Sequence, residues 1–201
     1  AADPASMVLD VQQTPRLTIT DPAGRHWVRP AFIWQDAAPN PAPKADPELI
    51  NLGERSLRVR HTARLPGIHR WALADSGGAE HARGEFTVAA AGVPLGPLRI
   101  NPANSRLLAF ADGTPFIPIG PNIAWASGSD RLGLFERYFA ALEQVGGTHA
   151  RIWLASWCGQ FEGESPDAYR LEQAWLVDRI LASARAHQLR LTVVIDNHHD
   201  L

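Results

Sequence analysis

The hydrophobic rhythm of this chain changes once along its length, and that change limits what it can fold into. Up to about residue 90, apolar residues come in short, partly alternating runs: Leu17–Thr20, His26–Arg29, Ala31–Trp34, Ser56–Thr62, His69–Leu73 and Gly84–Val88. Turn signals separate them at Asp21-Pro-Ala-Gly24, Leu65-Pro-Gly67 and Asp75-Ser-Gly-Gly78. In Ser56–Thr62, Leu57, Val59 and His61 alternate with Arg58 and Arg60, the period of a strand with one solvated face. Short, evenly spaced strands without a helical pattern predict a small antiparallel β-sandwich over residues 1–92. Asp36–Pro47 holds four prolines, and proline cannot donate to a sheet ladder, so this segment is expected to be a loop.

A small-residue and proline stretch, Ala89–Pro97, reads as a linker. Beyond it, Leu98-Arg-Ile and Leu107–Phe110 suggest a hairpin. The Asp112-Gly113 turn then leads into a strand candidate, Phe116–Trp125, that prolines interrupt. Arg131–Val145 places Leu134, Phe135, Tyr138, Phe139, Leu142 and Val145 at three- and four-residue steps, predicting a helix closed by Gly146-Gly147. His149–Trp157 reads as a strand, Cys158–Asp167 as a loop and Tyr169–Leu189 as a second amphipathic helix. Leu191–Ile195 is nearly all apolar, as in a parallel strand buried on both faces. Strand and helix in alternation predict right-handed crossovers onto a parallel sheet in residues 93–201. Such sheets gather functional groups at the carboxyl ends of their strands.

Composition narrows the function classes. A net charge of −2 gives no basic field for nucleic acid or an anionic membrane, and no apolar run approaches a bilayer span. The single cysteine, Cys158, excludes an internal disulfide framework and a multi-cysteine zinc site. It also lacks a histidine-based activation motif, which argues against a thiol nucleophile. Seven tryptophans are many for 201 residues, and indoles suit both cores and sugar-contact surfaces.

Within Thr148–Trp157, Arg151 lies in an otherwise buried-looking strand. A guanidinium keeps its charge, so burial demands an anionic or polar partner. The three expected strand ends, Asn122–Trp125, Trp153–Trp157 and Asp196–Asp200, carry polar or aromatic groups where plain turn residues would suffice.

Three ordered motifs then carry a family resemblance: Asp112-Gly-Thr-Pro-Phe-Ile-Pro-Ile-Gly-Pro-Asn-Ile-Ala-Trp125, Gly147-Thr-His-Ala-Arg-Ile-Trp-Leu154 and Asn197-His-His199. Their order resembles the first three strands of the retaining (β/α)8 glycoside hydrolases related to cellulases and mannanases. The N-terminal part resembles the immunoglobulin-like domain that often precedes such barrels. The resemblance implies an all-β sandwich followed by the start of a TIM barrel, about three βα units. It implies cleavage of β-linked poly- or oligosaccharides without a cofactor, and a secreted or periplasmic location. The family's catalytic pair is two glutamates, on the fourth and seventh strands, held about 5–5.5 Å apart for a retaining mechanism. A full barrel takes about 250 residues, so these glutamates are expected beyond residue 201, with the remainder of the barrel required for hydrolysis.

Arg151 resembles the second-strand arginine that steadies the nucleophilic carboxylate, the alternative being a structural ion pair. His198 and His199 resemble the third-strand histidine region near the cleavage point. Neighbouring strand residues face opposite ways, so one of the two is expected to face the site. Asn122 is expected to bond a sugar hydroxyl or, equally, to cap the following turn. Trp125, Trp153 and Trp157 are candidate stacking platforms. Packing between barrel and helices is an equal alternative for each, with Trp153 turned away from Arg151. Trp175 belongs to the core, and Glu162 and Glu164 to a solvated loop. Two other function classes stay open: a non-catalytic carbohydrate-binding or interaction module, and a metal-dependent hydrolase using Asp196, His198 and Asp200.

Overall fold

The computed structural model describes residues 14–41, 49–90, 96–162 and 169–195. By compactness the chain divides into two units, Ala1–Trp34 with Arg55–Pro94 and Gln35–Glu54 with Leu95–Leu201.

The first unit is organised on a four-stranded antiparallel sheet. Its strands are β1 (Arg16–Thr20), β2 (His26–Pro30), β5 (Gly67–Ala74) and β6 (Glu80–Val88), in the order β2-β1-β5-β6. Asp21 shapes the first hairpin. Its Oδ1 accepts from the N–H groups of Ala23 and Arg25, while Gly24 takes the left-handed conformation the turn needs (φ 77°). Asp75 does the same between β5 and β6, accepting from the N–H of Ala79. Ile19, on the central strand, is buried at 1% exposure. A two-stranded sheet, β3 (Phe32–Pro39) with β4 (Leu49–Arg58), is shared by both units, since the division falls within each strand.

The second unit holds a small antiparallel sheet, β7 (Arg99–Asn101), β8 (Asn104–Ala109) and β9 (Pro115–Phe116). It also holds a parallel sheet, β10 (Asn122–Ile123), β11 (His149–Trp153) and β12 (Arg190–Val194), linked by helices α1 (Arg131–Gln144) and α2 (Leu171–Ala186). The Asp130 side chain accepts from the N–H of Gly133 to cap α1, and Gly146, at φ 76°, lies just beyond its end. Phe135 and Phe139 of α1 and Leu176, Ile180 and Ala184 of α2 pack with Ile123, Ala150 and Ile152 of the sheet. Trp175 lies partly buried against this core, and Cys158 is buried within it. A polar clamp ties the helices together. His187 Nδ1 lies 2.7 Å from Glu143 Oε2 and its Nε2 lies 2.8 Å from Glu136 Oε1, while Ser183 Oγ donates to Glu136.

An all-β sandwich followed by the start of a (β/α)8 barrel is not the architecture. Strand dominates, spread over four small sheets, and two helices occur among the described residues. The reason is local. Phe116–Trp125, expected as the opening barrel strand, contains Pro118 and Pro121, which lack ladder donors, and its parallel pairing shrinks to Asn122–Ile123. The predicted Ser56–Thr62 strand also shifts: β4 begins at Leu49 and ends at Arg58, and Asp36–Pro39, expected in a loop, is the end of β3. No helix among the described residues is long and apolar enough to cross a membrane.

Candidate functional site

Alternation along β11 sorts its residues. Ala150 and Ile152 are buried against the helices, so His149, Arg151 and Trp153 share the other face of the parallel sheet. Register then sets their neighbours. Arg151 pairs with Asn122 on one side and Thr192 on the other, and Trp153 pairs with Val194.

Arg151 Nη1 reaches Asn122 Oδ1 at a long 3.4 Å, and its guanidinium carbon sits 5.3 Å from the centre of the Trp153 ring. A cation over an indole face is a favourable, weakly hydrated arrangement. Trp153 is therefore not turned away from Arg151: residues two apart on a strand point the same way. The anionic or polar partner expected for Arg151 is, among the described residues, a side-chain amide. His149 joins the same face through Nε2, 2.9 Å from Thr192 Oγ1, and burial holds its ring below the usual histidine pKa.

The strand ends bring two further indoles together. Trp125, which follows β10, and Trp157, which follows β11, stack with centroids 4.6 Å apart and planes 16° from parallel. Trp157 is fixed from behind, its Nε1–H donating to the carbonyl of Ala124 at 2.8 Å. Its own carbonyl accepts from Arg131 at 3.1 Å. Trp125 is 66% exposed and offers its outer face to solvent, with Trp153 6.3 Å away at a tilt of 42°. Asn122, Trp125, Arg151, Trp153 and Trp157 thus gather at one end of the parallel sheet. The arrangement offers an aromatic plane for sugar C–H groups beside amide and guanidinium donors for hydroxyl oxygens. None of these residues is acidic, so the face as described can bind and orient but has no proton donor of carboxylic type.

The remaining expected residues do not join it. Asp196, His198, His199 and Asp200 lie outside the described residues, as does Glu164. Glu162 is exposed, in an isolated β-bridge with Tyr169. No group of three potential metal ligands occurs among the described residues. Sequence reasoning passed over His149 and Thr192. For His149 the signal was the period of two from Arg151, but finding its contact with Thr192 needed the register of β12.

No protein family and no curated protein matches the sequence. Among solved structures the chain is similar to a Bacteroides vulgatus ATCC 8482 protein described as a "putative glycoside hydrolase", at a TM-score of 0.58 and 13% identity. The match covers 90% of this chain and 37% of that one. At such identity the likeness concerns the fold alone: the chain shares the fold of part of that protein and spans little more than a third of its length.

Proposed function

We propose that this chain is the substrate-contacting portion of a glycoside hydrolase that cleaves β-linked poly- or oligosaccharides. The observation that carries the reading is the strand-end face, where the stacked Trp125–Trp157 pair lies beside Arg151 and Asn122. The neighbour's description supports the class coarsely, through shared fold. In a retaining mechanism one carboxylate attacks the anomeric carbon while a carboxylic acid about 5–5.5 Å away protonates the leaving oxygen. No acidic side chain has been placed on this face, so its part in that chemistry is to hold sugar, and Arg151 is a positioning residue. One of His198 and His199 belongs to the same reading as a sugar contact.

Titration of the 201-residue chain with cellohexaose and mannohexaose, followed by tryptophan fluorescence, tests it. Saturable binding that Trp125→Ala weakens at least about tenfold is expected, since the variant removes the apolar indole face that sugar C–H groups would cover, and tenfold corresponds to about 1.4 kcal/mol. Binding indifferent to both Trp125→Ala and Arg151→Met would remove the face from the reading.

A further inference from the structure

A cavity within the first unit alone has a chemistry of its own. It encloses about 600 Å³, inside the range of about 300–1,000 Å³ typical of small-molecule sites. Its charged lining is Arg25, Arg29, Arg60 and Arg64 against a single carboxylate, Asp21. In a chain of net charge −2, four cations against one anion at one cavity, an excess of three, is a local concentration of positive field.

Asp21 does little to offset it, being already engaged. Burial pushes its carboxyl pKa up, but the N–H groups of Arg25 and Ala23 and the Arg25 guanidinium outweigh this and hold it low. The Arg25 Nε–Asp21 Oδ2 distance is 2.8 Å. Two of the other arginines are braced on aromatic rings. Arg29 lies 5.4 Å from the centre of Trp27, and Arg60 lies 4.9 Å from that of Phe32. Such stacking holds a guanidinium in place while leaving in-plane N–H donors for an anion.

Two histidines define what else the ligand must carry. His69 is 1% exposed, and its Nε2 is 2.9 Å from the carbonyl of Leu65. A carbonyl only accepts, so Nε2 holds the proton and Nδ1 presents a lone pair. That Nδ1 is buried without a hydrogen-bond partner, as is Nδ1 of His61, and both residues line the cavity. Burial first, then the neighbouring Arg29 and His69, lowers the His61 pKa and favours its neutral, lone-pair-bearing ring. A buried acceptor left unpaired is unfavourable and calls for a donor. A fully ionised inorganic anion has none to offer, whereas a sugar hydroxyl does.

We propose that this pocket binds a sugar acid, its carboxylate on the arginine side at Arg29 and Arg64 and a ring hydroxyl donating to the histidine pair. Trp27, tilted at 51° with its centroid 6.2 Å from His61, supplies an apolar wall for the ring. The site is independent of the strand-end face, all its lining residues belonging to the other unit.

Isothermal titration of the full chain with methyl β-D-glucuronide, methyl β-D-glucoside and inorganic sulfate, at one ionic strength, tests the proposal. The glucuronide is expected to bind, with the glucoside and sulfate each weaker by roughly tenfold or more, because hydrogen bonds to charged groups contribute about 1.5–3 kcal/mol. Arg64→Gln, at an exposed position, and Arg29→Gln should each weaken the glucuronide by about tenfold. His69→Phe keeps the ring stacked on Phe86 and should narrow the preference for glucuronide over sulfate. Circular dichroism checks that each variant is folded. Cellohexaose binding should be retained in the Arg29 and Arg64 variants, whose residues belong to the other unit, so failure here and failure of the strand-end face are separate results. Equal binding of glucuronide and glucoside, sulfate binding as tight as glucuronide, or full affinity in the folded Arg29 and Arg64 variants would each overturn it.

Discussion

The indole of Trp157 ties the end of β11 to the end of β10, and Trp157→Phe tests that tie with little change in ring burial. The substitution deletes the Nε1–H that donates to Ala124 at 2.8 Å. Ala124 is buried at 5% exposure, so its carbonyl has little access to replacement water. An intramolecular hydrogen bond contributes about 0.5–1.5 kcal/mol, and stranding its buried partner costs about 1–3 kcal/mol. A loss of about 1–2.5 kcal/mol is therefore expected. At about 2–4 °C per kcal/mol for a chain of this size, the midpoint should fall by about 2–10 °C. The stack on Trp125 is a separate contribution, about 0.5–1.5 kcal/mol for a favourable aromatic pair. A cycle of Trp125→Ala, Trp157→Ala and the double variant, measured by urea unfolding, should return a coupling energy in that range. If Trp157→Phe costs less than about 0.5 kcal/mol, within the scatter of neutral surface changes, the tie does not hold the strand ends together.

Three further outcomes follow from the second unit. Phe139→Ala, at a fully buried site on α1, should cost about 3–5 kcal/mol in urea unfolding, while Tyr138→Ala at its exposed neighbour should cost far less. Gly120→Ala would drive its Cβ into the backbone carbonyl of His149, so the variant should lose the cooperative unfolding of the parallel sheet, read by hydrogen exchange at Ile152 and Val193. His187 is raised above its ordinary pKa of 6.5 by Glu143 and Glu136, so its contribution is complete below 6.5 and fades as pH rises through the folded value. Glu136 is lowered from 4.5 by Ser183 and then His187, so its share is present above 4.5 and fades as pH falls through the folded value. The urea midpoint of the parent relative to His187→Gln should therefore be highest near pH 5.5–6 and shrink by pH 9, and a gap independent of pH would refute the clamp.

How far the sequence could be read depended on whether the deciding interaction was local. Both helices were legible, because their three- and four-residue steps and the Gly146-Gly147 stop are written in adjacent residues. The face of β11 was legible in principle, since a period of two unites His149, Arg151 and Trp153. What opposed Arg151 was not, because Asn122 reaches it through strand register across 29 positions. The barrel reading went astray where motif order outweighed Pro118 and Pro121, whose missing donors leave β10 two residues long. The basic cavity was hidden for a related reason. Arg25 and Arg29 sit near one hairpin and Arg60 and Arg64 beyond β4, and of the four only Arg60 drew a reading from the sequence, as the solvated side of a strand.

The division of the chain carries a practical consequence. Each unit takes two separate stretches of sequence, so the backbone passes between them at 34–35, 54–55 and 94–95. Cleavage at any one of these passages leaves the two halves joined by the others, and an early nick should appear on a denaturing gel before it appears in size-exclusion chromatography. A single truncation after residue 94 would keep all of the first unit, yet carry along residues 35–41 and 49–54, which group with the second unit. The apolar side chain of Leu49, buried among the helices' core residues, would then face water on an isolated first fragment. Poor solubility of such a piece would report the interleaving of the chain and say nothing against the pocket it contains.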